Sequence, residues 1–168
     1  MTDETAPQTQ GTSAPSPAPT CTSSHERKIM TSNHATSIPA RDDRDIRALF
    51  DEVSRAWAGG DADAFTSRYA EEATVTFPGV YLPGRDAIRA AMAAAFDGQL
   101  NGSHRIHDLQ VIRFPSDRTA VVITNSATVF AGEPEAPADR WERVTWLLSA
   151  HDGRWLIEAY HSSPQNAA

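Results

Sequence analysis

The dipeptide Asp152-Gly153 lies between two runs of alternating apolar and polar residues, at about 139–151 and 154–162. Such a pair favours positive φ at both positions and closes a two-residue β-hairpin. A turn this short fixes the pairing, because a slip of one residue sends every side chain to the opposite face. His151 then pairs with Arg154, Ala150 with Trp155, Leu148 with Ile157, Trp146 with Ala159 and Val144 with His161. One face carries Val144, Trp146, Leu148, Ala150, Trp155, Ile157, Ala159 and His161, an apolar wall that ends in one titratable group. The other face carries Thr145, Leu147, Ser149, Leu156, Glu158 and Tyr160, a mixture that suits a dimer interface.

Upstream the period changes. Ile46, Leu49, Phe50, Val53 and Trp57 recur at helical spacing, with Asp42 or Asp43 to start the helix and Gly59-Gly60 to stop it. Asp61 caps a short second helix that puts Phe65 and Tyr69 on one side. A strand at 74–77 runs to Pro78-Gly79, and Tyr81-Leu82 is a stub of strand before Pro83-Gly84. A third helix at about 85–97 turns Ile88, Ala91, Met92, Ala95 and Phe96 inward. Two further strands are expected at about 103–114 and 118–131, with Gly132 to Pro137 as a longer connection to the final hairpin. With a three-residue turn at Pro115-Ser116-Asp117, Val111 faces Val121, Leu109 faces Ile123 and His107 faces Asn125; a two-residue turn would flip one strand. The expected class is α+β, three helices packed on one face of a curved antiparallel sheet.

Residues 1–40 differ from the rest. They hold no aromatic residue, and the first 24 contain six Thr, four Ser and four Pro. A segment with so little apolar surface does not offset its ordering entropy, so a disordered tail is expected over 1–40, a domain over 41–164 and a short tail over 165–168. Met30 is an alternative start. The single cysteine, Cys21, allows no internal disulfide, and the opening residues show neither a basic nor an apolar leader, so the chain reads as cytoplasmic. A net charge of −7 without a clustered basic excess argues against nucleic acid as partner. No apolar run is long enough to cross a membrane.

The order of elements and three stretches of sequence resemble the nuclear transport factor 2-like superfamily, which includes ketosteroid isomerases and SnoaL-type polyketide cyclases. WAGGDADAFTSRYAEEATVTFPG is similar to the family's helix-turn-helix-strand opening, and PGRDAIRAAM to its third helix. DGRWLIEAYHSSP resembles the closing strand, and its aromatic-His pair is most similar to the SgcJ/EcaC branch that accompanies enediyne and related polyketide clusters. The resemblance implies a cone-shaped sheet around a hydrophobic pocket, a hydrophobic polyketide-type ligand, and a homodimer through the outer sheet face. It leaves two readings of function: an acid/base cyclase or isomerase acting on that ligand, and a non-catalytic carrier or accessory partner of a biosynthetic enzyme. No G-x-G-x-x-G after a strand, P-loop or Cys-x-x-Cys is present, so no cofactor is expected.

His161, at the end of the apolar wall, is the first candidate for proton transfer, with a sheet-end hydrogen bond as its plainer reading. His107, with Asn125 opposite, is the second, and a structural hydrogen bond is its alternative. Trp57, Tyr69, Phe77, Trp146 and Trp155 join Asn125 as candidate ligand contacts, with core packing as the competing explanation. Tyr69 ends the short helix and turns its hydroxyl toward the cavity. His104 and His107 have a metal-like spacing, but residues three apart on a strand face opposite ways, so no metal is expected. Ketosteroid isomerase-type chemistry needs a carboxylate in the cavity. Asp108 faces out in this register, and Glu142, Arg140 and Arg143 read as sheet-edge charges.

Overall fold

The computed structural model describes residues 40–165; expectations for the N-terminal tail, Cys21, Met30 and residues 166–168 lie outside them. Helix α1 (Ala40–Ala58) forms where the 3.6-residue spacing predicts it and buries Ile46, Leu49, Phe50 and Val53. Asp61 ends the connection and caps α2 (Ala62–Thr66), its Oδ1 accepting the Ala64 amide at 2.8 Å. The chain then enters β1 (Tyr69–Phe77), so Tyr69 opens a strand rather than closing a helix. A tight turn with Gly79 at φ 81° leads into β2 (Val80–Pro83), followed by α3 (Arg85–Asp97). Four strands complete the unit: β3 (His104–Ser116), β4 (Thr119–Val129), β5 (Glu142–His151) and β6 (Arg154–Pro164), with one 3-10 turn at Ala138–Arg140 before β5.

The six strands form one curved, unclosed sheet in the order β2-β1-β6-β5-β4-β3. All neighbours are antiparallel except β1 and β6. The helix side of the sheet presents Val122, Val144, Trp146, Leu148 and Ile157, which pack with the buried face of α1. No helix among the described residues is long and apolar enough to cross a membrane.

The final hairpin closes as expected, with Asp152 at φ 48° and Gly153 at φ 76°. His151 pairs with Arg154, Ala150 with Trp155 and Leu148 with Ile157. One step further, the expected register fails. Leu147 pairs with Ala159, so Glu158 is an extra residue in β6, a β-bulge. From there the faces exchange: Trp146 lies opposite Tyr160, and His161 lies opposite Thr145 on the outer face. The Glu158 carboxylate is held on that outer face by the Ser149 hydroxyl and by His151 Nε2 at 2.9 Å.

The β3–β4 hairpin also departs from the expected pairing. Its turn is Asp117-Arg118, with Ser116 opposite Thr119, and the register shifts twice, between Leu109 and Val111 and between Arg113 and Ser116. His107 consequently faces Ser126, while Asn125 pairs with Asp108 and accepts a hydrogen bond from Gln165 Nε2 at 2.5 Å.

Leu148 is wholly buried between α1 and the sheet. Leu148→Ala is expected to lower stability by about 2–5 kcal/mol in urea unfolding; a loss below about 1 kcal/mol would mean that this layer is not the core.

Candidate functional site

A cavity of about 390 Å³ opens between α3 and the helix side of the sheet, within the range of small-molecule sites. Its walls are apolar. Ile88, Ala91, Met92 and Ala95 come from one side of α3, Val75 and Phe77 from β1, Val80 and Leu82 from β2, and Trp57 and Phe65 from the first two helices. Trp57 is fixed by an Nε1–H bond to Ser103 Oγ at 2.9 Å and by edge contacts with Phe65 and Phe96.

Polar groups cluster where the cavity meets β3 to β6. The Arg105 side chain is only 9% exposed, and a buried guanidinium needs partners. It donates to Thr128 Oγ1 at 2.8 Å, to Glu142 Oε2 at 2.5 Å and to the Tyr160 hydroxyl at 3.1 Å, with its cation 5.6 Å from the Trp57 ring centre. Glu142 also receives Ser162 Oγ at 3.4 Å and the Tyr160 hydroxyl at 3.5 Å. One ion pair thus ties β3 to β5, and its hydrogen bonds reach β4 and β6.

His107 stands two residues along β3, between the rings of Phe50 at 5.6 Å and Trp146 at 5.3 Å. Its Nδ1 lies 2.9 Å from Ser126 Oγ, and its Nε2 is enclosed with no hydrogen-bond partner among the described residues. Burial, and then the Arg105 charge, push its pKa down to about 3, so the ring is neutral at pH 7. Burial raises both tyrosines, Tyr69 and Tyr160, so their hydroxyls keep their protons. The arrangement is a donor-rich patch at the edge of an apolar chamber, able to grip an oxygen on an otherwise apolar molecule.

Five of the sequence-derived candidates line this cavity: His107, Trp57, Tyr69, Phe77 and Trp146. Three do not. His161 is exposed on the outer face, turned there by the Glu158 bulge. Asn125 is also on the outer face, because β3 and β4 pair one residue away from the expected register. Trp155 packs beside Phe114 under the start of α1, its Nε1 3.3 Å from Asp42 Oδ1. Arg105, Thr128, Glu142 and Tyr160 also line the cavity, although alternation from the turn puts Tyr160 on the outer face and Glu142 reads as a sheet-edge charge. Glu142 was legible: it lies two residues before Val144, on the same face of β5. His104 is exposed while His107 faces the cavity, so the two do not meet at an ion, and among the described residues no three His, Cys, Asp or Glu side chains converge as metal ligands.

The depressed His107 pKa links to stability. Between about pH 3 and pH 6.5 the unfolded chain binds a proton at this residue that the native state does not. The contribution is therefore complete above pH 6.5 and lost as pH falls toward 3, with a slope on the order of 1 kcal/mol per pH unit. His107→Phe is expected to lose less stability than the parent between pH 7 and pH 4.5 in urea unfolding; equal losses would contradict a buried neutral ring.

A model of the SnoaL-like domain family matches residues 39–161. No curated protein matches the chain. Among solved structures, a cystatin-like-fold domain of unknown function from Nostoc punctiforme is 24% identical, with a TM-score of 0.70 over 76% of this chain and 79% of that one. A nuclear-transport-factor-2-like protein of unknown function from Shewanella oneidensis is 25% identical, with a TM-score of 0.63 over 73% and 98%. A provisionally named scytalone dehydratase from Novosphingobium aromaticivorans has the same fold at 15% identity, with a TM-score of 0.61 over 74% and 85%. With a three-helix, six-stranded fold around an internal cavity and a family match across nearly all of that fold, the chain belongs to the SnoaL-like domain family.

Proposed function

We propose that the protein binds a hydrophobic, polyketide-type small molecule in the cavity and modifies it by an acid/base step, without a cofactor. One observation carries this reading: an apolar chamber of about 390 Å³ whose polar groups are gathered at Arg105, His107, Glu142 and Tyr160. Apolar walls lower the local dielectric and strengthen polar interactions made beside them, and fixed donors stabilise charge that develops on a ligand oxygen. The titratable groups that line the cavity are Glu142, Tyr69, Tyr160 and the neutral His107. Membership of a family that includes polyketide cyclases supports the ligand class. The likeness of the closing strand to the SgcJ/EcaC branch supports an enediyne or related polyketide pathway in the cytoplasm, on sequence alone.

A carrier role is favoured by one feature. Both Glu142 oxygens are engaged, Oε2 by Arg105 and Tyr160 and Oε1 by Ser162, so this cavity carboxylate is already committed. Native mass spectrometry after incubation with extract of the producing cells separates the readings. The enzyme reading expects a discrete adduct whose mass changes while bound; an adduct of constant mass supports the carrier, and no adduct at all contradicts the cavity reading.

We also propose a homodimer through the outer sheet face, where Val111 is 44% and Leu147 39% exposed on adjoining parts of the sheet. Leu147→Glu is expected to shift sedimentation from dimer to monomer; a parent protein that sediments as a monomer would overturn this interface.

A further inference from the structure

The corner where α3 gives way to β3 carries the only Asn-Gly pair in the chain, Asn101-Gly102. Both residues are exposed. Position 102 requires glycine, because its φ is 69° and a Cβ there would come within 3.2 Å of Ala131 Cβ. Main-chain N–H bonds shape the corner, from Leu100 to Ala95 O at 2.8 Å, from Asn101 to Gly98 O at 3.1 Å and from Ser103 to Leu100 O at 3.1 Å. The Gly102 N–H has no acceptor among the described residues. The Asn101 side chain reaches back to the last turn of α3. A carbonyl only accepts, so the group that lies 3.2 Å from Phe96 O is the amide nitrogen Nδ2. It covers a carbonyl that the helix end leaves without an intrahelical partner.

We propose that Asn101 is a site of spontaneous deamidation, and that the product remodels the cavity wall at this corner. Asparagine is a thermolabile side chain, and its weak point is attack by the amide nitrogen of the next residue. With glycine next, no side chain shields that nitrogen, and here no protein hydrogen bond holds it. The Gly102 nitrogen bonds to Asn101 Cγ, the bond from Cγ to Nδ2 breaks, and the side-chain nitrogen leaves as ammonia with the proton that Gly102 gives up. Water then opens the succinimide at either carbonyl. Opening at Cγ gives aspartate; opening at the main-chain carbonyl gives isoaspartate, with the chain one carbon longer. Either product loses the donor to Phe96 O and adds a negative charge at the C-terminal end of α3, where the helix dipole disfavours it. The longer chain of the isoaspartyl form falls inside the turn closed by Ser103 and Leu100. Ser103 Oγ donates to Leu100 O at 2.7 Å and accepts from Trp57 Nε1 at 2.9 Å, so this turn is what fixes Trp57. Leu100 and Trp57 both line the cavity.

Two measurements on the full chain test this. In the first, the protein is incubated at pH 8.5 and 37 °C beside a free peptide of residues 99–105, which has the same chemistry without the fold. Peptide mapping by mass spectrometry is expected to find the exchange of NH2 for OH at Asn101, with isoaspartate among the products, at a rate within about twentyfold of the peptide's. A slower rate, or a faster reaction at Asn33, Asn125 or Asn166, overturns the assignment. In the second, the isoaspartyl form is separated by ion exchange. Its tryptophan emission is expected to move to longer wavelength, and the amides of Leu100 and Ser103 to exchange hydrogen at least tenfold faster. Emission and exchange equal to those of the parent overturn the remodelling. Asn101→Gln is expected to show neither change after the same incubation; if it does, the change does not arise at Asn101 and the proposal falls.

Discussion

A buried guanidinium dictates the layout of the site. Arg105 projects from β3 into an otherwise apolar interior, and a charge there is tolerable only when paired and hydrogen-bonded. Glu142 supplies the opposite charge from β5, and Thr128 and Tyr160 supply oxygens from β4 and β6. Four successive strands are tied together at one point, which is also where the cavity becomes polar. Removing Glu142 would leave the Arg105 charge buried without its counter-ion, a larger loss than a surface ion pair represents.

The bulge at Glu158 decides which side chain of β6 joins this cluster. Without it, alternation from the Asp152-Gly153 turn would direct Ala159 and His161 inward and Tyr160 outward. With one extra residue the phenol enters the cavity and the imidazole leaves it. The outer-face contacts of Glu158 with Ser149 and His151 hold the extra residue in place. A local irregularity thus replaces a titratable ring by a hydroxyl that stays protonated, and the chemistry available to the site changes accordingly.

The sequence is informative to the extent that short-range signals act alone. Helical spacing and the Asp61 cap place α1 and α2, and the turn residues place the last hairpin to within its first few pairs. The bulges at Glu158 and near Gln110 leave no such trace, since they depend on what packs against each strand, and each one moves residues between faces. His161 and Asn125 were misplaced for that reason, and Trp155 because an apolar face continues past the cavity into the core beneath α1. His107 and Trp146 reach the cavity because they lie on stretches where alternation runs undisturbed. Arg105 and Glu142 lie on those same stretches, and polar character alone hid them: an unpaired charge on a core face looks like an edge residue until its partner two strands away is known.

We propose above all that the cavity takes an apolar molecule with its polar end directed at Arg105. A crystal structure of the protein grown with 2-acetylnaphthalene tests it most directly. The expected result has the rings against Met92, Phe77 and Trp57, with the carbonyl oxygen within about 3 Å of an Arg105 guanidinium nitrogen. A probe that lies with its oxygen toward α3, or outside the cavity, would contradict it.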